Sequence, residues 1–155
     1  MELSGQYNFT ADQEIVWQHL MNPDVIARAL PGVEAMIPVE GEENAWRAEA
    51  KIGIAAINGR YVGFVRMSEQ SPPNQYRLTV NGEGQQSIIN GTALITLTHD
   101  ADTQQTLLNW QADANISGKL ASIGQRVIKA AAGMLSKQFF GAVANQLPNQ
   151  EIKPS

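Results

Sequence analysis

The chain has 155 residues, with 11 Lys and Arg against 15 Asp and Glu, a formal net charge of -4 and no cysteine. A chain of this length is read as one domain that buries about 68–70% of its unfolded surface, so it needs no covalent staple to fold. The composition excludes disulfides, thiolate metal sites and cysteine nucleophiles, and its scattered basic residues speak against a nucleic-acid footprint.

The N-terminal "MELSGQYNFT" has neither a basic flank nor an apolar h-region, and no apolar run approaches the ~18 residues of a spanning helix. A cytoplasmic protein in a reducing compartment is expected. Glu2 to Phe9 alternates, with Leu3, Gly5, Tyr7 and Phe9 on one side, which reads as a strand with one buried face. Thr10-Ala-Asp-Gln13 has the form of a capping box before a short helix carrying Ile15, Val16, His19 and Leu20. Asn22-Pro23 starts a second helix with Val25, Ile26, Ala29 and Leu30 on its apolar side, and Leu30-Pro31-Gly32 ends it.

Strands are expected over 33–40, 45–56, 60–70, 75–84, 88–98 and 105–116. The turns between them are Gly41-Glu-Glu-Asn44, Asn58-Gly59, Ser71-Pro-Pro-Asn74 and His99-Asp-Ala-Asp-Thr103. Asn90-Gly91 is a competing turn signal; placing a turn there would leave only a short piece before it, so the segment is kept as one strand. From about Ser117 to Leu147 apolar residues recur at three- and four-residue steps, as in a long amphipathic helix, and Pro148 stops it. Residues 148–155 are expected to form a flexible tail, the start of a linker, behind a single domain over 1–147.

The order is strand, two short helices, six strands and a long helix. Short turns make neighbouring strands antiparallel, and only the C-terminal helix is long enough to cover the sheet. This resembles the α+β helix-grip, or START-like, layout: a curved seven-stranded sheet gripped by its last helix. Ser117-Gly118-Lys119 lacks the glycine spacing and following hydroxyl of a phosphate-binding loop. Gly118 instead reads as a sharp exit from the last strand, Ser117 as the helix N-cap, and Gly124 as room for the helix to cross the sheet.

Alternation places Ala48, Ala50, Gly63, Gly82, Gly84, Gly91, Ala93, Ala112 and Ala114 on the inner face, beneath Ala130-Ala-Ala-Gly133 of the helix. Small residues on both sides mean either close packing or empty volume. A curved sheet cannot approach a straight helix everywhere, which favours an apolar cavity. Its expected wall comprises Leu30, Trp46, Ile52 and Ile54, then Tyr61, Val65, Tyr76 and Trp110, and on the helix Leu120, Ile123, Val127 and Met134. The aromatics would meet a planar ring, tyrosine hydroxyls would supply the few polar anchors, and Leu30-Pro31-Gly32 would gate the mouth. His19 and His99 lack convergent metal ligands, Asp100-Ala-Asp102 is half of a calcium loop, and no catalytic constellation stands out. No catalytic residue, metal or cofactor is expected; a quinone or lipid would be cargo.

"ADANISGKLASIGQRVI" (Ala112 to Ile128), "NPDVIARALPGVEAM" (Asn22 to Met36) and Gly63, Pro72 and Pro73 in "YVGFVRMSEQSPPNQYRL" resemble the carbon monoxide dehydrogenase G-subunit (CoxG) family of the SRPBCC superfamily, over about residues 1–147. The resemblance implies a non-enzymatic hydrophobic-ligand carrier. Its implied partners are a molybdenum-containing CO dehydrogenase or related hydroxylase and a transient membrane contact at the inner face. Many members of that family carry a proline-rich linker and a C-terminal membrane anchor, whereas this chain stops at Ser155, as a short homologue or an excised domain. Two other readings are a docking protein without a ligand and a cyclase- or hydratase-type enzyme, the latter needing a buried titratable group.

Overall fold

The structure is a computed structural model and describes residues 1–54 and 57–148. The strands are β1 (Glu2–Phe9), β2 (Val33–Pro38), β3 (Ala45–Ile54), β4 (Ile57–Ser71), β5 (Gln75–Gly84), β6 (Ser87–Asp100) and β7 (Gln105–Gly118). They form one antiparallel sheet in the order β1-β7-β6-β5-β4-β3-β2. Helices α1 (Gln13–Leu20) and α2 (Pro23–Ala29) join β1 to β2. After β7 a 3-10 turn (Lys119–Ile123) leads into α3 (Gln125–Ala144). The expected α+β helix-grip architecture is the one observed. The expected tail begins at Pro148, and residues 149–155 lie outside the described residues.

Asn90-Gly91 does stay inside a strand: Asn90 pairs with Asn81 and Asn115, and the Asn81 side-chain amide donates to Asn90 Oδ1 at 2.8 Å. Asn58-Gly59 is not the turn it was expected to be. The β3–β4 ladder runs on through Gly53↔Asn58 to Ile54↔Ile57, because both strands keep their inward apolar alternation beyond that dipeptide. The capping box at Thr10 is also absent. Asp12 occupies the α1 N-cap without a side-chain bond, and Gln13 Nε2 donates to Pro73 O (2.9 Å) and Asn74 Oδ1 (3.1 Å) instead. Tertiary partners thus claimed the amide that local capping would have used. Asn22 caps α2 as expected, accepting from Asp24 N at 2.9 Å, with Pro23 in the first turn.

Because β1 and β2 are opposite edges, the chain between them must cross six inter-strand spacings, about 29 Å on a flat sheet. Helices α1 and α2 make that crossing over one end of the concave face. They bury Val16, Trp17, Leu20, Val25, Ile26 and Ala29 there. Thr106, fully buried on β7, ties the crossing down by donating from Oγ1 to Ala11 O at 2.7 Å.

The exit from β7 departs from the expected continuous helix. Ser117 remains in the ladder, paired with Ile88, so it caps nothing. Gly118 turns the chain at φ 87°, where a Cβ would sit 2.2 Å from Gln86 O. Leu120 N then bonds Ser87 Oγ at 2.7 Å, burying Leu120. Gly124, at φ 93°, breaks the backbone again before α3 begins; a Cβ there would meet nothing within 4 Å, so its role is conformational and not steric.

α3 packs on β1, α2 and the 3-10 turn, burying Ile128, Ala131, Phe140 and Val143. Its C-terminal half is held most firmly. Phe140 meets Tyr7 and Phe9 with ring centroids at 5.9 and 6.4 Å, and Gln146 links Arg28 Nε (2.8 Å) to Val25 O (3.0 Å).

Gly118→Ala is expected to lower stability by about 2–3 kcal/mol, since a side chain there is both conformationally strained and in collision with backbone. Gly133→Ala, on the exposed side of α3 with open space around it, should raise stability by about 0.5–1 kcal/mol. Urea unfolding of both variants measures the pair; a Gly118→Ala protein as stable as the wild type, or a loss at Gly133, would refute the assignment.

Candidate functional site

Between α3 and the sheet lies a cavity of about 280 Å³, walled almost wholly by apolar atoms. Its floor is Trp46, Val65, Met67, Tyr76, Leu78 and Val80, continued by Ala93, Ile95, Trp110 and Ala112. Ala132, Ser136, Phe139 and Phe140 of α3 form the roof. Pro23, Ile26 and Leu30 of α2 close one end, and Met36 on edge strand β2 completes the side. Tyr76 in the floor is 2% exposed and meets Trp17 of α1 edge-on at 5.7 Å. Tyr76 is the one titratable residue on this wall, and burial pushes its hydroxyl well above the ordinary phenol value, so it stays neutral.

Of the residues expected here, Leu30, Trp46, Val65, Tyr76 and Trp110 line the cavity. Ile52 and Ile54 are inward-facing but sit farther along β3, half-buried towards the hairpin. Tyr61, Leu120 and Ile123 border a separate recess of about 150 Å³ with Asn58, Gln85, Ser87, Lys119 and Ser122. Burial raises the Tyr61 hydroxyl modestly there. Val127 and Met134 are corrected outright: they lie on the outside of α3, 41% and 53% exposed. The 3-10 turn and the break at Gly124 shift the helical phase, so Ile128 and Ala131 face inward in their place.

The small residues are also not where the volume is. Only Ala93, Ala112 and Ala132 of that set border the cavity. Gly63 permits close strand approach, since a Cβ there would be 2.8 Å from Asn81 O. Ala48, Gly82 and Gly91 lie beyond the cavity on the same strand faces, half-buried. The void exists because α3 stands on β1 and α2 and does not reach the middle of the sheet. Alternation along β4, β5 and β6 turns Met67, Leu78 and Ile95 to the inner face, and helical spacing along α3 includes Phe139. Nothing in the sequence pointed to Phe140, Pro23 or Ile26 as wall residues.

The basic residues are less scattered than they read. Residues 114–148 contain Lys119, Arg126, Lys129 and Lys137 and no Asp or Glu. On α3 these cations border the exposed Val127, Ala130 and Met134. The other face of the molecule holds paired charges, such as Arg60–Glu34, Arg77–Glu69 and Arg66–Glu42. Among the described residues no three His, Asp or Glu converge as metal ligands. His19 Nδ1 lies 2.8 Å from Ile15 O, and His99 Nε2 lies 4.0 Å from Asp12. Asp100 belongs to a hairpin tip, its pKa lowered first by the Asp102 backbone N–H. No described helix is long and apolar enough to cross a membrane.

A family model for the G-subunit of carbon monoxide dehydrogenase (CoxG) matches residues 5–148. Among solved structures, a conserved protein from Geobacillus kaustophilus superposes with a TM-score of 0.89 at 31% identity, over 94% of each chain. A START superfamily protein from Mycobacterium smegmatis superposes with a TM-score of 0.71 at 12% identity, over 94% of this chain and 96% of that one. The di-domain ARO/CYC StfQ from the steffimycin biosynthetic pathway gives 0.70 at 10% identity, over 93% of this chain and 49% of that one. The last two share the fold alone. No curated protein matches the chain in sequence at a significant level. The family match over nearly the whole chain, on a START-like sheet gripped by its last helix, makes this protein a member of the carbon monoxide dehydrogenase G-subunit (CoxG) family.

Proposed function

We propose that the protein is a non-enzymatic carrier that shields a hydrophobic molecule, quinone- or lipid-like, in the cavity between α3 and the sheet. It would act as an accessory to a molybdenum-containing CO dehydrogenase or related hydroxylase. The observation that carries this reading is the cavity itself: apolar, about 280 Å³, and lined by the aromatics Trp46, Tyr76, Trp110, Phe139 and Phe140. The volume equals that of about nine waters at ~30 Å³ each, so it encloses a ring system or a short chain segment and not a whole isoprenoid. Burying about nine methylene-sized groups yields ~7 kcal/mol before association costs. Micromolar binding needs about 8 kcal/mol net, so a tight ligand must also make contacts beyond the cavity.

The partner half of the proposal rests on family membership. A transient membrane contact is supported by α3, which sets the exposed Val127, Ala130 and Met134 beside Arg126 and Lys137 and has no Asp or Glu of its own, while Lys129 shares a recess with Glu2 and Asp113. Such a face suits the headgroup region of an anionic bilayer. An enzyme of the cyclase kind is disfavoured by Tyr76. It is the one titratable group on the cavity wall, and its displacement is upward, away from a base poised near neutrality.

Ala93→Leu with Ala112→Leu should fill the cavity from the floor, with the fold retained. Lipid extraction and native mass spectrometry of the wild type are expected to show a bound apolar species, and the double variant to lose it at least tenfold. A wild type that purifies empty after gentle extraction, or a variant that keeps its cargo, would count against carriage. Recovery of the dehydrogenase in a pull-down by the filled variant would show that docking is separable from ligand binding.

Tyr76 gives a second test. Its folded pKa lies above the unfolded value of about 10, so its contribution is intact below pH 10 and is lost as pH rises beyond it. Each unit above that point should cost about 1.4 kcal/mol. Urea unfolding between pH 9 and 11.5 should show a steeper alkaline decline for the wild type than for Tyr76→Phe; parallel curves would show that Tyr76 is not held neutral.

A further inference from the structure

The recess near the β3–β4 hairpin has a chemistry opposite to that of the cavity. Tyr61, Asn58, Gln85, Ser122 and Lys119 bring polar groups to it, and no carboxylate lines it. Two of its hydroxyls are already used: Ser87 Oγ accepts from Leu120 N at 2.7 Å, and Ser122 Oγ donates to Lys119 O at 2.6 Å. Lys119 makes no ion pair among the described residues. The charge is therefore uncommitted, and Lys119 shares the wall of the recess with Tyr61.

The recess and the cavity lie on one face of the same strand. Tyr61 borders the first and Val65 the second, four residues apart on β4, or about 14 Å. Between them the floor is Gly63, flanked by Ala48 and Gly82 on the paired strands, and all three are half-buried. An extended chain can lie over that floor where a bulkier side chain would block it.

Resting on the carrier reading, we infer that the ligand is a single-chain amphiphile with an acidic headgroup, carboxylate or phosphate. Its tail enters the cavity at Val65, its stem lies over Gly63 and Gly82, and its head meets Lys119 and the Tyr61 hydroxyl. Lys119 selects the charge and Tyr61 donates a hydrogen bond; the apolar end provides affinity and the polar end fixes direction. The partly solvated position limits the ionic contribution, so selectivity and not raw affinity is its signature.

Binding of hexadecanoate and of hexadecan-1-ol, long enough to cross from Tyr61 and still enter the cavity, is compared at pH 8 and low salt through the fluorescence of Trp46 and Trp110, which line the cavity. The wild type should bind the acid about fivefold more tightly than the alcohol, as expected of an exposed charge pair at the upper end of its range. Lys119→Gln should erase that preference by weakening acid binding more than alcohol binding, and Lys119→Arg should keep it. Lys119 is exposed, so both variants should fold, which circular dichroism verifies. Alcohol binding with no preference for the acid overturns the headgroup inference and leaves the carrier reading standing; a preference that survives Lys119→Gln does the same. Binding of neither probe by the wild type overturns both.

Discussion

One contact set governs the rest of the molecule: the docking of the C-terminal half of α3 onto β1 and α2. Phe140 against Tyr7 and Phe9, with Gln146 bridging Arg28 and the Val25 carbonyl, pins the helix to one edge of the sheet and to the crossing helices. The helix cannot then settle onto β3–β5. A sheet that bends away from a straight rod fixed at one end leaves a wedge of space, and the inner side chains of β3–β6 fill it incompletely. The cavity is a consequence of where the helix is anchored. It does not require an unusual shortage of bulk beneath it, since tryptophan, tyrosine and methionine make up much of its floor.

The two ends of α3 differ in the same sense. Its C-terminal half is tied by aromatic packing and side-chain hydrogen bonds. Its N-terminal half follows Gly124, includes the exposed Gly133, and presents cations with Val127 and Met134 to solvent. The N-terminal half is thus the less committed one. The helix is amphipathic, with Ile128, Ala131 and Phe140 inward and Val127 and Met134 outward on one rod.

The START-like fold is shared with proteins described in quite different terms, so the architecture by itself does not choose among carriage, docking and catalysis. A neutral, buried tyrosine among hydrocarbon offers shape and one hydrogen bond, and no proton exchange near neutrality. The polar groups lie instead in the separate recess at Tyr61 and Lys119.

The strands, their inward faces and the start of α2 could be read directly from the amino-acid order. These are short-range matters: alternation with period two, Asn22-Pro23, and the exit at Gly118 are legible from neighbours in the chain. The same reading went wrong where a local signal had a distant competitor, as when Gln13 left its cap for Pro73 and Asn74, or when β3 and β4 zipped past Asn58-Gly59. It went furthest wrong on α3. Counting from Ser117 as one helix assumes about 100° per residue, whereas the five residues of the 3-10 turn advance about 120° each. That accumulates to about 100° of phase before Gly124 breaks the chain once more, enough to turn Val127 and Met134 outward and Ile128 and Ala131 inward. Long-range packing set that phase, because the turn is held by a hydrogen bond between Leu120 and Ser87, residues 33 apart in the chain.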